Sequence, residues 1–276
     1  TFARCGRIDP LSLAEYEAHG GLSGLRRALA MDAEAIVEEV KASGLRGRGG
    51  AGFPTGIKWD TVRKADGARK YIVCNADEGD SGTFADRMLM EGDPFSLIEG
   101  MVIAGLATGA ELGYVYLRSE YPDAIEVMGE AIRLAREAGV LGASVLGSGR
   151  AFDMAVRVGA GAYVCGEETS LLNSLEGKRG VVRPKPPLPA IEGFLGRPTV
   201  VNNVLSLATV PVILEKGAEH YAGFGLGRSR GTIPVQIAGN VRRGGLFETA
   251  FGMPLGRLVE EIGGGTASGR PVKAVQ

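Results

Sequence analysis

The run Lys70-Tyr-Ile-Val-Cys-Asn-Ala-Asp-Glu-Gly-Asp-Ser-Gly-Thr83 carries a buried strand straight into a polar turn. Tyr71, Ile72 and Val73 suit a strand covered on both faces, whereas Asn75, Asp77, Glu78 and Asp80 cannot continue an apolar run. In an open α/β sheet, ligands collect in the crevice beyond the carboxyl ends of the strands, so polar residues there suggest a site. Read alone, the same turn would be a solvated acidic loop.

Downstream, helical spacing predicts helices over Asp86 to Glu91, Pro94 to Leu112 and Pro122 to Glu137. Strands are predicted over Tyr114 to Arg118 and Met154 to Gly159. Strands separated by helices of this length imply βαβ crossovers and a Rossmann-like, mostly parallel sheet with helices on both faces. Met88, Met90, Met101 and Met128 are then core fillers.

Upstream, Ser43 to Asp60 reads SGLRGRGGAGFPTGIKWD, with six glycines among the cations Arg46, Arg48 and Lys58. A backbone without Cβ atoms can close on an anionic ligand and aim N–H groups at it, while the cations offset its charge. A flexible linker would not place Phe53, Pro54 and Trp59 among its glycines. Gly47, Gly49 and Gly52 match G-x-G-x-x-G, but that turn must follow a strand. The preceding Asp32 to Ala42 instead reads as a helix capped by Asp32. A P-loop is excluded because Trp59 follows Lys58. The first 43 residues form a helical packing arm, with Leu11, Leu13 and Tyr16, Leu25, Ala28 and Leu29, and Ile36, Val37 and Val40 inward.

Gly159 to Gly177 (GAGAYVCGEETSLLNSLEG) reads as a strand end, a tight turn and a short helix from near Thr169. Glu167 and Glu168, just before that helix, either contact a ligand through its hydroxyls or cap the helix. Arg183 to Leu188 (RPKPPL) is either a rigid ligand-flanking segment or an inert connection. Thr199 to Leu214 places Asn202 and Asn203 at the head of an apolar helix, one to cap it and one to donate to a ligand. From Ile233 onward the texture predicts a strand, a turn and a helix of a small module, incomplete at Gln276.

Composition agrees with a globular cofactor protein. The 276 residues are 45% hydrophobic, and 44 glycines are more than twice the usual ~7% share. With 31 basic and 32 acidic residues the net charge is −1, which gives no general attraction to nucleic acid or anionic membrane. Cys5, Cys74 and Cys165 form no C-x-x-C pair, and only His19 and His220 are available. Zinc sites, triads and ferredoxin-type clusters therefore lose support, and a reducing, cytoplasmic compartment fits. No signal peptide or ~20-residue apolar span occurs. A start at Thr1 rather than methionine is expected of an excerpt.

Taken together, the motifs GRGGAGFPTGIKW, CNADEGD, GAGAYVCGEETSLLNSLEG and VNNV, in this order, resemble one family. It is the NADH-oxidising FMN flavoprotein subunit of respiratory complex I, with its relatives in NAD-reducing hydrogenases and NAD-dependent formate dehydrogenases. The resemblance covers nearly everything from about residue 25 onward. It implies an FMN- and NAD-binding α/β domain over 44–231, a ubiquitin-like β-grasp module over 232–276 and a helical [4Fe–4S] domain expected only beyond residue 276. Carried over by position, Gly47, Arg48, Gly49, Lys58, Asn75, Asp77, Glu78, Tyr163, Gly166, Glu167, Asn202 and Asn203 surround FMN. Phe53, Asp80, Glu168 and Lys185 fall where the family contacts NAD(H), their carboxylates opposing the 2′-phosphate of NADPH.

The resemblance assigns no general base, since hydride passes directly from nicotinamide to flavin; Glu78 and Glu167 are the nearest candidates for tuning it. Implied partners are iron–sulfur subunits of a multisubunit complex, including a thioredoxin-like [2Fe–2S] subunit, without direct membrane insertion. Departures are specific. Complex I members carry aromatic rings around adenine where this chain has Thr61 and Leu188, and a glutamate where it has Asp80. PPLPA and VNNVLSL look closer to the formate dehydrogenase beta subunit. The family's C-x-x-C-x-x-C run does not occur before Gln276, which leaves a non-catalytic nucleotide-binding scaffold as the reading from another class.

Overall fold

The computed structural model describes residues 1–67 and 69–276. Three short helices, α1 (Leu13–Ala18), α2 (Ser23–Leu29) and α3 (Ala33–Ala42), lead into the glycine loop, and α4 (Thr55–Lys64) follows it. Asp32 caps α3, its carboxylate accepting from the Ala35 amide at 2.7 Å, which supplies one of the donors a helix start leaves free with a partner. A helix thus stands where a Rossmann turn would need a strand.

The sheet is built from β1 (Tyr71–Ala76), β2 (Leu112–Leu117), β3 (Asp153–Val158) and β4 (Thr199–Asn203). Helices α5 (Ala85–Gly92) and α6 (Pro94–Thr108) join β1 to β2, α7 (Pro122–Glu137) joins β2 to β3, and α8 (Glu168–Leu175) lies between β3 and β4. The order is β3-β2-β1-β4, all parallel. Successive crossovers step outward from β1 to β3, and the chain then returns to the other side of β1. The crevice between the carboxyl ends of β1 and β4 is therefore the topological switch point, where α/β sheets bind ligands.

The sheet is covered on both faces because its side chains alternate. Ile72 and Cys74 join the main core with α6 and α9 (Val204–Lys216), while Tyr71 and Val73 meet Leu171, Leu172 and Phe194 on the other side. Every residue of α6 is buried, as an apolar helix enclosed on all sides must be. Its closest neighbour is α9: a Cβ on Gly100 would lie 2.1 Å from the Leu207 carbonyl oxygen, so the backbones meet only because position 100 has no side chain. The amino-terminal helices belong to the same core. Buried Glu99 accepts from the Tyr16 hydroxyl at 2.5 Å and from the Leu22 and Leu25 amides at 2.8 Å each, tying them to α6.

One local expectation is corrected here. Thr199 to Asn203 is a strand, not the first turn of a helix, because Val200 and Val201 continue the sheet beside β1 and the helix begins only at Val204. Beyond α9 come α10 (Ala218–Ala222), the small hairpin β5 (Gly225–Leu226) and β6 (Ser229–Arg230), and the hairpin β7 (Thr232–Ile237) and β8 (Gly245–Ala250). A short helix, α11 (Leu255–Arg257), runs into a wider helical turn at Leu258–Ile262. Among the described residues no helix is long and apolar enough to cross a membrane.

Candidate functional site

A cavity of about 450 Å³ opens at the switch point. Its wall is assembled from Gly47, Gly49, Ala51, Gly52 and Phe53 of the loop, Lys58 and Thr61 of α4, and Asn75 of β1. Gly166, Glu167 and Glu168 at the start of α8, Lys185 and Leu188 of the proline-rich segment, and Val201, Asn202 and Asn203 of β4 complete it. The size lies within the range of small-molecule and cofactor sites.

The glycine loop is a closed turn. Arg46 and Pro54 pair as an antiparallel bridge, and the Gly47 amide donates to the Phe53 carbonyl oxygen at 2.9 Å. Gly50 and Gly52 take φ of 100° and 61°, a left-handed backbone that other residues avoid. Gly49 faces β4 so closely that an added Cβ would stand 3.2 Å from the Asn203 Cβ.

Parallel pairing sets the three asparagines side by side, Asn75 opposite Asn203 and Cys74 opposite Asn202. Each is oriented by hydrogen bonds. The Asn75 amide donates to the Gly166 carbonyl oxygen at 2.8 Å, and the Trp59 indole N–H donates to Asn202 Oδ1 at 2.8 Å. Asn203 caps α9 by accepting from the Leu205 amide at 2.9 Å, and its own Nδ2 donates to Asp86 at 2.6 Å. Capping and availability to a ligand therefore meet in one residue, while Asn202 is held inside the sheet.

Charges along one wall alternate. Lys58 Nζ donates to the Val201 carbonyl oxygen at 2.8 Å and stands 3.4 Å from Glu168, whose carboxylate is 2.7 Å from Lys185 Nζ. Lys185 also lies 3.0 Å from Glu167. Glu167 caps α8, accepting from the Thr169 and Ser170 amides at 2.8 and 2.9 Å. Burial opposes its charge, but hydrogen bonds from Thr169, Ser170 and Lys185 outweigh that and hold its carboxyl below the usual range. For Lys185, burial is likewise outweighed by Glu168 and Glu167, which raise its ammonium.

Asp77, Glu78, Asp80 and Tyr163 are not part of the cavity wall. Glu78 accepts from the Asp86 and Arg87 amides, capping α5, and from the Tyr121 hydroxyl at 3.1 Å. Tyr163, largely exposed, donates to Asp80 at 2.7 Å. Asp77 differs: Oδ2 is buried without a hydrogen-bond partner among the described residues, 3.7 Å from where a Gly166 Cβ would be. Burial pushes its carboxyl up to about 6; Glu120 adds to this and Arg118 opposes it. An orphaned acceptor of this kind calls for a donor such as a ligand hydroxyl.

Arg48 departs from its expected place. Its amide donates to Ser206 Oγ, but the guanidinium turns from the cavity to the Arg46 carbonyl, the Tyr221 hydroxyl and the Arg230 carbonyl at 2.7–2.9 Å. It therefore offsets no charge in the cavity. Desolvation there lowers its pKa, although Tyr221 opposes the shift. Lys58 is the loop-proximal cation that does face inward. Ala51, Pro189, Ala190, Thr199 and Val201 also line the cavity but were not marked by sequence reasoning, because small and aliphatic residues carry no chemical signal of their own.

Residues 40–212 match the family model described as the Nuo51 FMN-binding domain. Over 272 residues the chain is 50% identical to the NADP-reducing hydrogenase subunit HndC of Solidesulfovibrio fructosivorans, covering 99% of this chain and 55% of that one. It is 53% identical over 264 residues to an NADH-quinone oxidoreductase subunit of Rhizobium meliloti, covering 95% and 63%. The crystal structure of an NAD⁺-reducing [NiFe]-hydrogenase in the air-oxidized state superposes with a TM-score of 0.80 at 37% identity, covering 97% of this chain and 44% of that one. The chain thus spans between half and two thirds of the curated relatives it matches.

Proposed function

Because the chain belongs to the Nuo51 FMN-binding domain family, we propose that it holds FMN in the β1–β4 crevice and exchanges hydride between that flavin and NAD(H). The observation that carries this reading is the cavity itself, a glycine-walled turn with Lys58 and Lys185 in its wall, set at the switch point of a parallel sheet. FMN, when bound, supplies both hydride acceptance and the division of the electron pair into single electrons.

The chain's own residues fit that cofactor. Gly47, Gly49 and Gly52 leave room for a ligand to approach the loop backbone, and Lys58 provides a positive charge for its phosphate. Outside the wall but 3.7 Å from where a Cβ of the lining residue Gly166 would be, the orphaned Asp77 Oδ2 would accept from a ribityl hydroxyl that reached past that glycine, and Asn75, Asn202 and Asn203 supply fixed amides. Phe53, Glu168 and Lys185 line the same cavity and would meet a dinucleotide there. Phe53 is half exposed and free to stack, while Glu168, with Asp80 in the neighbouring loop, would oppose a 2′-phosphate. No side chain is needed as a general base, so these residues act by orienting two flat rings and excluding water.

Electrons would pass to or from iron–sulfur subunits of a cytoplasmic multisubunit complex, a thioredoxin-like [2Fe–2S] subunit among them. Within the family, PPLPA and VNNVLSL favour a formate dehydrogenase-type complex. The test is reconstitution with FMN, followed by anaerobic NADH or NADPH. Expected is a yellow protein that bleaches with NADH and much more slowly with NADPH. Failure to take up flavin overturns the reading; flavin that binds without bleaching indicates a scaffold. Formate-dependent NAD⁺ reduction by the isolated native complex tests the branch, and its absence removes that assignment.

A further inference from the structure

We propose that Asp86 is a positioning residue for the flavin: from behind the cavity wall it fixes the Asn203 side chain in one orientation and so decides what that amide offers a ligand. The inference rests on the FMN reading above and adds a residue that does not itself line the cavity.

Asp86, the second residue of α5, is 5% exposed, and its Oδ2 accepts from Asn203 Nδ2 at 2.6 Å. Asn203 Oδ1 accepts from the Leu205 amide at 2.9 Å. A flip of the Asn203 amide would turn its NH2 group against the Leu205 N–H, losing the cap of α9 and leaving a buried donor unpaired. Both ends are therefore committed, and the second N–H of Nδ2 is the donor left over at a position lining the cavity. Gly49 completes the fit, since any larger residue there would press on the Asn203 Cβ.

The surroundings of Asp86 also determine its charge. Glu78 caps the Asp86 and Arg87 amides and is held by Tyr121, Cys74 lies near on β1, and the adjacent Arg87 reaches instead to Glu91 at 3.3 Å. No cation pairs with Asp86 among the described residues. Burial first, then the charge of Glu78, push its carboxyl well up, against the hydrogen bond from Asn203. Held toward its protonated form, Asp86 keeps its acceptor for Asn203 and adds less negative charge beside a cofactor that takes up electrons.

Three variants and three readouts test this. In the apoprotein, the Asn203 side-chain amide proton bonded to Asp86, followed by NMR, is expected to be protected in wild type and Asp86→Asn and to exchange freely in Asp86→Leu. FMN titration by quenching of flavin fluorescence should be weaker by about tenfold or more in Asp86→Leu, with unchanged circular dichroism, and restored to within about threefold in Asp86→Asn. Asp86→Ala serves if the leucine variant does not fold. The midpoint potential of the FMN-loaded Asp86→Asn variant should equal that of wild type. Protection of that Asn203 proton or wild-type FMN affinity in a folded Asp86→Leu or Asp86→Ala variant overturns the positioning role, and a more positive potential in Asp86→Asn overturns the neutral carboxyl. If wild type binds no FMN, the FMN reading falls while the NMR readout still decides the Asp86–Asn203 relation.

Discussion

The guanidinium of Arg48, in the glycine loop, lies 4.6 Å from the centre of the Phe251 ring, just past β8. The same group bonds to Tyr221 and to the Arg230 carbonyl, so one side chain joins the cofactor loop to α10 and both hairpins. Arg48→Met is expected to lower stability by roughly 2–4 kcal/mol, because the Tyr221 hydroxyl and two carbonyls lose a shared donor. FMN binding should fall with stability, but its dependence on salt should stay as in wild type. A flatter salt dependence, measured by FMN titration at several ionic strengths, would place the guanidinium against the phosphate after all.

Lys58 and Gly49 act on the cavity directly. Lys58→Ala should weaken FMN by roughly 10- to 100-fold through loss of a charged hydrogen bond. Gly49→Val should exclude it sterically, since even a Cβ stands 3.2 Å from Asn203. Flavin content after reconstitution, beside circular dichroism to show a retained fold, checks both. Normal flavin content in the two variants would contradict the loop assignment.

Asp77 gives the apoprotein a pH signature. Its folded carboxyl is raised to about 6, above the ~3.9 of an unfolded chain, so the folded state binds more protons between those values. Stability from this group is present below pH ~4 and is lost as pH rises to about 6. Urea denaturation across that range should show wild type falling relative to Asp77→Asn by roughly 1–2 kcal/mol after allowance for partial exposure, then running parallel above it. A constant difference across the whole range would mean the carboxyl is not held protonated.

Adenine recognition should be open to improvement. Phe53, Thr61 and Leu188 all line the cavity, and only Phe53 offers a ring. Thr61→Phe and Leu188→Phe, singly, are expected to lower the KM for NADH about 2- to 5-fold with kcat unchanged, since stacking adds equally to ground and transition states. Steady-state kinetics with an artificial acceptor measures this. An unchanged KM in both would put adenine elsewhere.

Much of the scaffold was legible because its signals are local. Asp32 announces a helix start, Pro94 and Pro122 open α6 and α7, and the apolar run Tyr71 to Cys74 marks β1. Thr199 to Asn203 was misread for an equally plain reason: the helix cap is Asn203, the last residue of the strand, so no loop separates the two and apolar periodicity runs from Thr199 straight into α9. Arg48 was misplaced because sequence gives a residue's charge, not the direction of its side chain.

By itself the sequence determined which chemistry the chain can offer: a turn almost free of side chains, one run of acids after a strand, and paired glutamates and asparagines. The tertiary structure alone decided which of these meet. Parallel pairing of β1 with β4, more than 120 residues apart, is what brings Asn75 to Asn203 and leaves the cavity between them. Hydrogen bonds with α4, with α5 and with the turn before α8 then orient each amide, and burial sets which carboxyls hold their protons more tightly. Such relations depend on distance through space and on the loss of water, neither of which is written in the order of residues.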